Sequence, residues 1–119
     1  MDKKLGYSML LVEATAIPLL FLALLMIVTG YTLVYPEAMS ALLFGAINYS
    51  IAYRLHTDPV IRTCFTVLAI LHSIGGMFIL VEKYVRRTVV KKLIEMLVLV
   101  ILVYIGSIVL AIEILTRIK

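Results

Sequence analysis

Four uncharged stretches, residues 14–36, 38–53, 63–81 and 96–112, make up most of this 119-residue chain. The 11 Lys/Arg and 7 Asp/Glu residues all lie outside them. A helix needs about 20 mostly apolar residues to cross the hydrocarbon core of a bilayer. The first and third stretches meet this unaided. The fourth is slightly short, but Leu93, Ile94, Ile114 and Leu115 extend it, with Glu95 and Glu113 near its ends. The second carries Ser40, Gly45, Asn48 and Ser50 and is bracketed by Pro36 and Pro59. Hydrophobic residues make up 64% of the chain, against roughly 45–50% in soluble domains. A small soluble domain buries only about two-thirds of the surface its unfolded chain exposes. A soluble globule and a disordered chain are therefore both excluded, and the length excludes a large multi-domain enzyme. An all-α integral membrane domain remains.

Local signals place the spans. The first stretch is too long, and starts too late, for the apolar region of a cleaved signal peptide. It reads as a true span over residues 14–35, with Pro18 near its start and Pro36 ending it. Asp58-Pro59 predicts a helix start, because aspartate suits the N-cap and proline the first turn. The second span then covers residues 59–84, with Arg62 snorkelling to the interface, and the third covers residues 90–116. With three spans, Lys3, Lys4, Lys83, Arg86, Arg87, Lys91 and Lys92 share one side, and Arg54, Arg62, Arg117 and Lys119 the other. A fourth crossing by residues 38–53 would nearly even out the two sides, so positive-inside asymmetry favours three spans with the N-terminus inside. Residues 38–53 are expected to form one short helix, lying at the outer interface or packed on the bundle. The net charge of +4 is concentrated in the connection after Tyr84. That makes it a topology determinant, and a surface for anionic headgroups or an inner-side partner, rather than a nucleic-acid signal.

The chemistry lies in the exceptions to the apolar pattern. His72 has nine uncharged residues on each side within residues 63–81, which puts it near mid-bilayer, where an ionisable group marks a functional position by default. One reading is a neutral imidazole hydrogen-bonded to a neighbouring helix. The others are a haem axial ligand or a member of a proton relay. Ser73, Gly75 and Gly76 beside it are small enough for close approach of a partner helix or a flat macrocycle. A single histidine supplies one of the two axial ligands of a six-coordinate haem, and His56 reads as a loop residue. A haem reading therefore requires a second chain. Tyr84 lies twelve residues beyond His72, about 18 Å along a helix, at the inner rim. It is either a belt anchor or a hydrogen-bond donor to a quinone carbonyl. Cys64 is a lone thiol, and Asn48-Tyr49-Ser50 matches a glycosylation pattern by accident within an apolar segment.

The stretch His72-Ser-Ile-Gly75-Gly-Met77-Phe-Ile-Leu80-Val-Glu82-Lys83-Tyr84-Val85 resembles the second helix of the small membrane-anchor protein (the cytochrome b small subunit) of succinate:quinone oxidoreductase. That family has a histidine, a glycine three residues on, and an aspartate-tyrosine pair closing the helix. Glu13-Ala14-Thr15-Ala16-Ile17 resembles the Arg-Ala-Thr-Ala segment that opens the family's first helix. Three spans and a basic connection after the tyrosine extend the resemblance to nearly the whole chain. It implies half of a heterodimeric helix bundle in succinate dehydrogenase, respiratory complex II. His72 would be one axial ligand of haem b, with the second from a sister membrane subunit. Ser73, Gly75 and Gly76 would face the haem, and Tyr84 would bind ubiquinone or menaquinone where the iron–sulfur subunit docks. FAD and the iron–sulfur clusters would belong to the flavoprotein and iron–sulfur subunits, so this chain would have no succinate chemistry of its own. The same features serve a fumarate reductase.

Two positions depart from that pattern. Lys83 stands where the family has aspartate, and Glu13 stands where it has the arginine near the haem propionates. A carboxylate repels propionates unless it is protonated or paired. Three arrangements stay open: a basic residue of the partner compensates, the haem is held differently or is absent, or Glu13 pairs with an inner-side lysine or arginine. Two other classes compete with the anchor subunit. One is a cofactor-free structural assembly subunit. The other is a small multidrug-type transporter, which needs four spans and a carboxylate in mid-membrane.

Overall fold

The computed structural model describes residues 3–118, which form five helices and no strands: α1 (Lys3–Val34), α2 (Pro36–Leu42), α3 (Tyr49–Thr57), α4 (Pro59–Tyr84) and α5 (Thr88–Ile118). Lys119, one of the expected outer charges, lies outside the described residues. Helices α1, α4 and α5 are each long and apolar enough to cross a membrane, which makes this a multi-pass membrane protein. At 32 residues, α1 is about 48 Å long and overshoots a hydrocarbon core of about 30 Å. It starts well before residue 14, so Pro18 lies inside the helix instead of near its beginning. Membrane helices tolerate such a proline because neighbouring groups satisfy the freed carbonyl. Helix α4 has the expected bounds. The Ile61 N–H donates to Asp58 Oδ1 at 2.9 Å, and Pro59 occupies the first turn.

The segment between α1 and α4 differs from the single helix expected over residues 38–53. It forms two short helices joined by a turn. After Leu42 the Phe44 N–H donates to Ala41 O at 3.4 Å and the Gly45 N–H to Ser40 O at 2.8 Å, with Phe44 at φ 55° and Gly45 at φ 75°. This is the hydrogen-bond pattern of a Schellman helix end, with Phe44 in the left-handed position usually given to glycine. Asn48 then restarts the helix, its Oδ1 accepting from the Ile51 N–H at 2.9 Å. Asn48 is thus a cap within a turn. Helix α3 packs on α1 and α4, with Ala52 fully buried in the contact.

The three long helices lie side by side. Helix α4 is in the middle and packs against both α1 and α5, which have little contact with each other. A Lys4–Glu95 ion pair of 2.9 Å ties α1 to α5 at one end. The result is a layer of 52 × 36 × 20 Å. Its interior is polar. Among the described residues the buried polar side chains are Ser8, Thr15, Thr29, Thr32 and Glu113, whereas the buried hydrophobic ones are only Ala52, Met77 and Val81. This inversion follows from the solvent: lipid competes equally for Leu and Ile, so helix contacts go to small and hydroxyl residues. Each buried hydroxyl of α1 donates to the carbonyl one turn back, namely Lys4, Leu11, Leu25 and Val28. These four donors are therefore satisfied within their own helix.

Gly75 sets the α1–α4 distance. A Cβ there would stand 2.9 Å from Val12 Cγ2 and 3.0 Å from the Ser8 carbonyl oxygen. The second of these is backbone and cannot turn aside. A Cβ at Gly76 would meet nothing within 4 Å. Gly75→Ala should therefore destabilise the fold by about 1–3 kcal/mol through overpacking. Gly76→Ala should be neutral, or stabilising by up to about 1 kcal/mol from helix propensity. Denaturation in mixed micelles measures both; equal effects at the two positions would refute this packing assignment.

Candidate functional site

His72 lies at the middle of α4 and faces α1. Its Nδ1 is 3.0 Å from Thr15 Oγ1. The Thr15 hydroxyl has one proton, and its shorter bond, 2.7 Å, goes to the Leu11 carbonyl. With that proton on Leu11 O, Thr15 is placed to accept from His72 Nδ1–H. In that arrangement Nε2 is the ring nitrogen left to face a ligand. A histidine whose second nitrogen donates to a fixed oxygen is oriented to use the first as a ligand. Leu11 carbonyl, Thr15 and His72 thus form a relay that holds the imidazole in place.

The small residues around His72 divide. The space above Gly75 is taken by Val12 and Ser8 of α1, so its smallness serves helix contact, while Gly76 is open. Ser73 is exposed, and its hydroxyl returns to Ala69 O at 2.7 Å. Tyr84 ends α4, is 68% exposed, and lies under the Lys83 ammonium, 5.2 Å from its ring centroid. Glu13 is exposed, and among the described residues no cation pairs with it. The expectation of an ion pair with an inner-side lysine or arginine is not met there. The basic connection after Tyr84 is partly neutralised, with Lys91 Nζ 3.0 Å from Glu82 Oε1.

Comparison with models of protein families, with curated proteins and with solved structures found no match to the chain. Function is therefore read from the residues.

Two constellations are not evident from the sequence. His56 is not a loop residue: it sits in the last turn of α3 with Nδ1 3.0 Å from Thr29 Oγ1, whose proton goes to Leu25 O at 2.7 Å. This repeats the His72–Thr15 arrangement. Thr29 follows Thr15 by four turns on the same face of α1, a periodicity that is a readable signal in hindsight. Gly30 makes room for the ring, with His56 Cε1 3.3 Å from the place a Cβ would occupy. The second constellation is Arg62–Glu113. Arg62 does not simply snorkel; its Nη2 is 2.8 Å from Glu113 Oε1, and Glu113 is only 8% exposed. Among the described residues no three His, Cys, Asp or Glu side chains group as a cage for a bare metal ion. An iron already held by a macrocycle asks the protein only for axial positions, and His72, held through Nδ1, would have Nε2 to offer for one.

Proposed function

We propose that this chain is the small membrane-anchor subunit of a succinate:quinone oxidoreductase. In this reading it binds a sister membrane subunit, holds one side of a haem b through His72, and contributes Tyr84 to a quinone site. The observation that carries the reading is the place of His72 at the middle of the central, membrane-crossing helix, with its ring oriented by Thr15 of α1. The Thr15 contact orients the ring as a ligand histidine requires; His56 is held in the same way by Thr29, so it is the mid-membrane position of His72 that favours it as the ligand. The open layer of helices is also what a half-bundle would offer a sister subunit. Tyr84, exposed at the end of the same helix, is free to donate its hydroxyl to a quinone carbonyl. The basic residues after it argue for an inner-side rim by the positive-inside rule.

The roles of this chain's own groups follow. Thr15 orients the His72 ring and holds a proton on Nδ1. The apolar faces of α1 and α4 keep water from the mid-membrane site. Tyr84 orients the quinone head at the rim, and the basic connection favours anionic headgroups or an acidic docking face. Haem, when bound, supplies a one-electron carrier, and the flavin and iron–sulfur chemistry belongs to the partner subunits.

The test is purification of the tagged chain from its native membrane in mild detergent. Co-purification of flavin, a b-type reduced-minus-oxidised spectrum and succinate-dependent quinone reduction are expected. Tyr84→Phe should lower quinone reduction up to about tenfold, the scale of one hydrogen bond of about 1–1.5 kcal/mol, while succinate oxidation with an artificial acceptor persists. A preparation with no flavin, no haem and no succinate activity would sink the reading and leave a structural subunit.

A further inference from the structure

At the end of the layer where α4 begins and α5 finishes, three buried polar atoms have no hydrogen-bond partner among the described residues: Arg62 Nε, Thr63 Oγ1 and Glu113 Oε2. Glu113 is about nine-tenths buried, and its other oxygen is held by Arg62 at 2.8 Å. Two cavities meet at Glu113. One, of 60 Å³, is lined by Thr63, Thr66 and Gly106 among others. The other, of 290 Å³, includes Arg62, Met26, Phe65 and Ile112 in its walls. Val109 and Thr66 border both. The Thr66 hydroxyl is already committed to Arg62 O at 2.9 Å.

We propose that this cleft binds a neutral, hydroxyl-bearing amphiphile, with the hydroxyl donating to Glu113 Oε2 and an oxygen accepting from Arg62 Nε–H. Three properties of the cleft select that chemistry. First, each unpartnered buried polar atom costs about 1–3 kcal/mol, so the occupant carries a donor and an acceptor. Second, the site is already charge-balanced. An anionic head would meet Glu113 Oε2, and a cationic head would meet Arg62, so the occupant is neutral. Third, water alone does not suit the larger cavity. It is an open cleft with largely apolar walls, whereas each water wants about 2–4 polar partners. The occupant therefore has an apolar body and a small polar head. Two sources share this chemistry: a lipid-soluble phenol or hydroquinone, and an alkyl alcohol of the lipid class.

The test is photo-crosslinking to the full chain in lipid vesicles, with diazirine derivatives of 4-octylphenol, dodecanol and octylbenzene, followed by peptide mapping. The phenol or the alcohol is expected to label residues 62–66 and 109–113. Val109→Phe, whose larger side chain intrudes where the two cavities meet and leaves both charges of the ion pair in place, should reduce that labelling about tenfold, equivalent to about 1.4 kcal/mol of binding. Stronger labelling by the phenol assigns an aromatic ligand, and stronger labelling by the alcohol assigns an alkyl lipid. Labelling of these segments by octylbenzene equal to that by both hydroxylated probes would overturn the proposal in the unmodified protein. So would efficient competition by octanoate or octylammonium.

Discussion

His72→Ala is expected to abolish the b-type α band in the reduced-minus-oxidised spectrum of the purified complex and to bring haem per flavin close to zero. On the proposed assignment the iron would lose its ligand outright, and no other histidine lies on α4 to replace it. Thr15→Val is the more informative partner. It keeps the imidazole and the shape of the α1–α4 contact but removes the acceptor for Nδ1–H, 3.0 Å away. Loss of such an outer hydrogen bond usually weakens a metal site about 10–100-fold. The band should therefore persist in Thr15→Val while haem is lost more readily on dilution or heating. His56→Ala serves as the rival. Because Thr29 holds His56 in the same way, the geometry of the relay alone does not choose between the two histidines. Position does: His72 is at the middle of a membrane-crossing helix, and His56 is in the last turn of short α3. Retention of the band in His72→Ala together with its loss in His56→Ala would transfer the ligand role to α3.

Part of this arrangement is legible in the sequence because in a lipid-facing chain the rare polar residue stands out. His72 is conspicuous within an uncharged run, and the Asp58-Pro59 cap is readable because its hydrogen bond is local. Three apolar helices are equally local, since length and composition decide them. What is not legible depends on contacts between distant segments. The break at Phe44–Gly45 needs a non-glycine residue in the left-handed region, which no residue-type pattern announces. That break swings α3 back onto α1, and only then does His56 reach Thr29. Gly75 is legible as small, but its neighbour is not. Val12 and Ser8 occupy the place that the resemblance would give to a macrocycle edge. Glu113 lies at the end of an apolar run and has the pattern of an ordinary interfacial acid. Its burial follows from Arg62, nearly two helices and a connection away.

That pairing gives the second large effect, an asymmetric one. Arg62→Leu strands a carboxylate that is nearly buried, with one oxygen already lacking a partner. Removing one member of a buried pair typically costs about 3–5 kcal/mol, and this variant should lie toward that range. Glu113→Leu strands the other partner, but the Arg62 side chain is 40% exposed and lies one turn from the start of α4. It can turn toward water at the membrane rim, as long cationic side chains do, so the cost should fall to about 1 kcal/mol, the scale of a surface pair. The double variant Arg62→Leu/Glu113→Leu removes both charges and should recover most of what Arg62→Leu loses, because apolar replacement of a buried pair is often neutral. Unfolding in mixed micelles, run as a double-mutant cycle, reads all three. The stabilities should rank unmodified protein and double variant highest, then Glu113→Leu, then Arg62→Leu. If the double variant were no more stable than Arg62→Leu, the carboxylate would not be charged and buried as the 2.8 Å contact implies, and its role in holding α5 to α4 would have to pass to the packing of Gly106 against Ile70.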